Sequence, residues 1–226
     1  MIGLRFCAAF AVLAMILTTA TNAFGQVEYL AGGQTGAGAM MGCSVSEGEP
    51  ALSVLVGAGV LGRLGVGGGL LLLHEGVGYA AGIDLFPLKS GSYKQPFSVA
   101  LSVGYQATDV SQKSPFGGWT RTSHTSYVVT GVTGFADMPF STKPFASKLQ
   151  LSIGVSRCLV GGGAPPDFSS LNLGLAALFP TSTGRAVFAV QLSVSTVIIG
   201  DVSADTFGVH LGLVVGKTPK SKPAGR

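Results

Sequence analysis

Charged side chains are scarce. They make up 11% of the 226 residues, less than half the roughly 25% of an ordinary soluble domain, which excludes a surface built for water alone. The 14 Lys and Arg against 10 Asp and Glu leave a formal charge of +4. The basic residues are scattered and end in a short tail of Lys217, Lys220, Lys222 and Arg226. No stripe of them would track a phosphate backbone, so nucleic acid is not an expected partner. Histidine is as sparse: His74, His124 and His210 show no ligand spacing, and no metal or other cofactor is expected. The tracts Gly67 to Gly69 and Gly161 to Gly163 lack the Lys-Ser/Thr or dinucleotide context of a phosphate loop and read as bend and loop. Of three cysteines, Cys7 lies in a segment expected to be removed, which leaves Cys43 and Cys158 as one candidate pair or two separate thiols. Long apolar runs are missing too. After residue 25 none reaches the roughly 18 positions of a spanning helix.

What is abundant is glycine, 35 residues, in a chain that is 47% hydrophobic. Apolar surface without spanning helices points to closed β-structure, the other arrangement that pairs every backbone polar group in hydrocarbon. The clearest stretch is Pro96 to Ala107, where Phe97, Val99, Leu101, Val103 and Tyr105 alternate with Ser98, Ala100, Ser102, Gly104 and Gln106. Its large face is apolar and its other face is small and polar, the inverse of a soluble strand with Lys, Glu or Thr outside. The same period of two returns in Gly76–Phe86, Ser126–Phe135, Phe145–Arg157, Phe168–Phe179, Arg185–Ile198 and Phe207–Gly216. A further strand is expected within Leu52–Leu73, where glycines blur the alternation and leave one strand or two open. Counted as one, it makes a closed antiparallel transmembrane β-barrel of eight strands, an all-β fold with the even number that closure requires.

The flanks read differently. Arg5 precedes an apolar run from Phe6 to Leu17, and small residues around Ala23 suit cleavage, so residues 1–25 are expected to be a signal peptide. Residues 26–50 read as an irregular Gly/Ala/Ser-rich leader, a tether or a small plug in the barrel mouth. The barrel is expected over residues 51–216, with a basic tail over residues 217–226. Asp109–Arg121, Cys158–Asp167 and Ile199–Asp205 are expected as outer loops, and Pro87–Gln95, Ala136–Pro144 and Thr181–Gly184 as inner turns. Phe97, Tyr105, Tyr127, Phe135, Phe145, Phe168, Phe179 and Phe207 fall near strand ends, where membrane-interface girdles would stand.

These features together resemble the small eight-stranded outer-membrane β-barrel proteins of bacteria with a second membrane. The resemblance covers residues 51–216. It implies a place in the cell outer membrane, contact with its lipid, insertion by barrel-assembly machinery and a surface partner met through outer loops. Such proteins often end on an aromatic in the last strand, whereas Val215 and Gly216 here lead into the basic tail.

An eight-stranded barrel is just wide enough for side chains to fill, so the expected role is structural or surface-interacting and non-enzymatic. The lumen would be lined by Asp84, Gln106, Lys148, Gln150, Asn172, Gln191 and His210 among small residues, with Asp84 and Lys148 as a candidate ion pair and Arg157 also pointing inward. That under-filled lining keeps a narrow pore or small-ligand barrel as the alternative. A third reading, a lipid-modifying hydrolase, is what a further resemblance implies: His124-Thr125-Ser126 is similar to the His-x-Ser arrangement of outer-membrane barrels that deacylate the lipid part of lipopolysaccharide, where His activates Ser and an acidic residue orients His, with Asp137 the nearest acid downstream. Strand parity is read as turning that motif inward.

Overall fold

A computed structural model of the protein describes residues 36–46, 49–60, 63–74, 76–88, 97–113, 120–139, 147–160, 168–183, 185–199 and 202–216. The expected signal peptide, the basic tail and Phe145 lie outside the described residues. The described chain forms ten strands: β1 (Gly36–Ser46), β2 (Glu49–Val60), β3 (Leu64–Leu73), β4 (Gly76–Leu88), β5 (Phe97–Lys113), β6 (Thr120–Pro139), β7 (Lys148–Val160), β8 (Phe168–Pro180), β9 (Ala186–Ile199) and β10 (Val202–Gly216). Each pairs antiparallel with its neighbours in sequence, and β1 pairs with β10 to close the barrel.

The barrel therefore has ten strands rather than eight. Leu52–Leu73 resolves into β2 and β3, and the stretch read as an irregular leader contributes β1, so among the described residues the wall already includes residues 36–46, ahead of the expected start at residue 51. The reason is low contrast between faces. In β1 the inner face carries Gly36, Gly38, Met40, Gly42 and Ser44 and the outer face Ala37, Ala39, Met41, Cys43 and Val45, so glycine faces alanine where a stronger strand sets serine against leucine. In β3 consecutive glycines at 67, 68 and 69 occupy both faces. Pairing partners, not side-chain contrast, fix these strands: Gly42 stands opposite His210 on one side and Ser53 on the other.

Polarity is inverted throughout. Large apolar side chains such as Leu52, Val56, Ile83, Val103, Ile153, Leu192 and Leu211 are exposed on the outer face, while Ser44, Ser102, Gln106, Gln150, Ser193 and Ser195 are buried inside. The inner wall also carries apolar clusters near each end. At the end where the hairpins β5–β6 and β7–β8 turn, Tyr127 meets Phe168 edge-on with centroids 5.4 Å apart, beside Val129, Cys158 and Val197. Toward the end where Gly36 and Gly216 stand, Phe86 packs on Phe135 with centroids 6.4 Å apart, and Met40, Leu178, Val187 and Val214 form another cluster. Each aromatic pair joins strands two positions apart, so the rings meet inside the barrel.

Three expected girdle aromatics are thus corrected. Tyr127, Phe135 and Phe168 point inward, because register pairs Tyr127 with Gln106 and Phe135 with Ser98, both inner residues, and because Phe168 is opposite in parity to the outward Leu171. Phe97, Tyr105, Phe179 and Phe207 are exposed on the outer face, joined by Tyr79 and Phe188.

Several connections are shorter than expected. β5 and β6 run 17 and 20 residues, so much of Asp109–Arg121 is hairpin rather than loop. β10 begins at Val202, inside the segment read as Ile199–Asp205 loop, and β6 continues to Pro139. Pairing with β4 stops at Val110 and pairing with β7 stops at Tyr127. The β5–β6 hairpin consequently rises beyond both flanking strands. At the opposite end Thr181 N donates to Ala186 O at 2.8 Å, closing the tight β8–β9 turn.

A cation placed on the outer face of β1 should report both its membership of the wall and its exposure to lipid. Met41→Arg, near the middle of β1, is expected to cost about 2–4 kcal/mol of folding stability in phospholipid vesicles, measured by urea titration. An irregular leader would make the same substitution neutral.

Candidate functional site

The inner wall is built from short polar side chains whose partners are set by strand order. Asp137, on β6, accepts a bond from Gln150 Nε2 at 2.9 Å and pairs with Lys148, both on β7. The expected Asp84–Lys148 pair does not form. β4 and β7 are separated by two intervening strands, and Asp137, read as part of a turn, lies on the strand directly beside Lys148. Asp84 is buried opposite Ser102, with no cation bridged to it among the described residues.

A second network crosses β7, β8 and β9. Ser156 and Ser170 hydroxyls lie 2.6 Å apart, Asn172 Nδ2 donates to Ser170 Oγ at 3.3 Å, and Ser195 donates to Asn172 Oδ1. Further round, His210 stands opposite Gln191 on β9 and Gly42 on β1. Its ring lies flat along the wall over two glycines. A Cβ on Gly42 would sit 1.9 Å from His210 Cδ2, and one on Gly208 would sit 2.8 Å from Cε1. Gln106 is buried beside Ala80 and Tyr127 in register. All seven residues expected in the lumen, Asp84, Gln106, Lys148, Gln150, Asn172, Gln191 and His210, share the inner face. Buried atoms of Ser44, Thr108, Tyr127, Ser193 and His210 have no hydrogen bond among the described residues.

The outer face departs from the sequence reading in three ways. Arg157 is exposed there, not in the lumen, because its parity follows Val155 and Leu159. It stands near the hairpin end of β7. Cys43 is exposed on the outside of β1 and Cys158 is buried inside β7, both free, so opposite faces rule out the candidate disulfide. His124 and Ser126 also point outward, since His124 is paired with Asp109 and Ser126 with Ala107 on the outer face of β5. His124 Nδ1 lies 2.7 Å from Asp109 Oδ1. Asp137, the acid expected for this motif, is at the other end of β6 and engaged by Lys148. The irregular alternation of β6, with Val128 and Val129 adjacent, hid its parity; only its register with β5 reveals it.

A shallow apolar groove of about 400 Å³ also lies on the outer face, over Gly134 and Ala136, between Val99 and the side chains of Leu151, Ile153 and Leu173. It marks where two small residues interrupt the outward belt.

No protein-family model and no curated protein matches the chain. Among solved structures, the chain is similar to the transport unit of the autotransporter AIDA-I from Escherichia coli, with a TM-score of 0.50 and 12% identity over 90% of this chain and 99% of that one. The beta domain of the Bordetella autotransporter Brka gives a TM-score of 0.40 and 12% identity over 80% of this chain and 98% of that one. At such identity the first likeness speaks to the barrel fold.

Removing the partner of a half-dry carboxylate exposes its desolvation cost. Lys148→Met should destabilise the barrel by about 1–3 kcal/mol, and adding Asp137→Asn should recover part of that loss. Thermal unfolding of the two variants in detergent, followed by unboiled gel mobility, checks both signs.

Proposed function

We propose that the protein is an exported outer-membrane barrel whose body serves a structural or surface-interaction role, with lipid against its outer face and barrel-assembly machinery as its route of insertion. Its barrel walls and lumen have no part in chemistry on this reading. The belt of exposed Leu, Val, Ile and Phe side chains supports the membrane location. One observation carries the role: inward aromatic rings from strands two apart meet on the inner face toward both ends, and the side chains beside them are buried. An open aqueous channel would leave such side chains in contact with water.

A narrow hydrophilic passage is the second reading. It is favoured by the buried hydroxyl and imidazole atoms of Ser44, Thr108, Ser193 and His210 that lack partners among the described residues, since water or a polar solute would satisfy them.

Fractionation with a urea wash, then gel mobility with and without boiling, tests the location. Retention in the outer membrane and faster or slower unboiled migration are expected; a washable protein of unchanged mobility would remove the membrane reading. Planar-bilayer recording then separates the two roles. The wild type should be silent, and removing the rings by combining Tyr127→Ser, Phe168→Ser, Phe86→Ser and Phe135→Ser should open conductance steps. Wild-type steps that vanish in Gly104→Leu would establish the passage instead.

A further inference from the structure

The β5–β6 hairpin that rises past its neighbours carries an open strand edge. β7 pairs with β6 only as far as Val160 opposite Tyr127, while β6 itself begins at Thr120. Over Thr120–Ser126 the strand is paired with Ala107–Lys113 on one side and has no strand partner on the other among the described residues. In an antiparallel ladder alternate residues turn both N–H and C=O to each side. Every second residue of this stretch thus presents a donor and an acceptor to the open side. The sequence after Val160, Gly161-Gly162-Gly163-Ala164-Pro165-Pro166, is rich in glycine and proline, the residues least suited to extend β7 along that edge.

Three features make the edge a template for another strand. It is regular: the ladder between Phe97–Lys113 and Thr120–Ala136 runs without a register shift. It is held in shape, because His124 Nδ1 lies 2.7 Å from Asp109 Oδ1 and Ser111 Oγ lies 3.4 Å from Thr122 Oγ1, both across the ladder. An extended conformation set before a partner arrives lowers the ordering cost of binding. It is also unguarded, since Thr122 to Ser126 holds no lysine, proline or bulge, the devices that blunt exposed edges. Thr122, Ser123 and His124 are exposed in succession, so both faces of the strand are open there. The outward series of β6 passes from Val132 and Val128 to Ser126, His124 and Thr122, which places the extension past the apolar belt.

We propose that the Thr120–Ser126 edge takes an extended, uncharged segment of a partner protein as an added strand, antiparallel to β6 on the line that β7 leaves. Backbone bonds to alternate residues supply the affinity. Side chains of the added strand lie beside Thr122, His124 and Ser126 on one face and Ser123 and Thr125 on the other. Threonine and other β-branched residues make the favourable cross-strand pairs with such neighbours, so the partner segment is rich in them. His124 is already engaged by Asp109, which leaves no charge between Thr122 and Ser126 to recruit an ion pair. The added strand rests on the surface-interaction reading of the barrel, whose partner class it names.

Full-length protein in detergent, with its heat-dependent mobility as the fold control, is followed by amide hydrogen exchange. Alternate amides of Thr120–Ser126 should exchange fast in the protein alone, while those of Val128–Phe135 stay protected. An acetylated Thr-Val repeat peptide about seven residues long, the length of the edge, should slow the fast set by about tenfold at saturation. The fully N-methylated peptide, with the same side chains and no N–H donors, should leave exchange unchanged. Replacing residues 110–123 with Asn-Gly should keep the mobility shift and abolish binding of a fluorescent copy of the peptide, read by anisotropy. A fast set already protected without peptide, a folded protein whose fast set is not slowed, or equal slowing by the N-methylated peptide overturns the proposal. Cross-linked dimers of the protein alone that vanish when the hairpin is shortened assign the edge to a second copy and also overturn it. A washable protein without heat-dependent mobility removes the membrane reading, whereas a folded, retained barrel with an unresponsive edge removes only the added strand.

Discussion

The closing ladder between β1 and β10 is the constraint on which the rest of this structure depends. A strand edge left open in hydrocarbon would strand a row of N–H and C=O groups, each costing several kcal/mol. Residues 36–46 are poor in side-chain contrast yet pair with partners on both sides along their length. Their backbone, rather than their side chains, is what the barrel recruits. Methionine, glycine and alanine suffice there because the wall needs paired amides and little else.

Ten strands widen the enclosure beyond what a wall of small residues would fill. The chain answers with three devices. Aromatic rings reach across from strands two apart toward each end, short polar side chains link neighbouring strands through Ser156, Ser170, Asn172 and Ser195, and His210 lies flat on a bed of two glycines. Gly42, one of the glycines that lower the contrast of β1, is also one of the two that leave room for the His210 ring against the wall.

Long β5 and β6 separate the barrel from what stands on its rim. Their hairpin carries the register past both flanking strands and sets Asp109 against His124 on the outer face. That polar pair stands at the limit of the outward apolar belt. The lumen and the rim therefore do different things with similar residues. Inside, Asp137 is consumed by Lys148 and Gln150; outside, Asp109 orients a histidine.

Strand period, inverted polarity and the near absence of charge were readable from residues 76–107 and 145–216 alone, because each strand keeps one large apolar face outward and a two-residue period records it locally. All seven luminal residues followed from that same local parity. Strand number, the inward turn of Tyr127, Phe135 and Phe168, the partner of Lys148 and the outward turn of His124 and Ser126 were decided only by the tertiary structure. Each depends on which strand stands beside which, and at what register. A one-residue shift reverses every side chain of a strand, and in β6, where Val128 and Val129 are nearly alike, only the hydrogen bonds to β5 choose between the two.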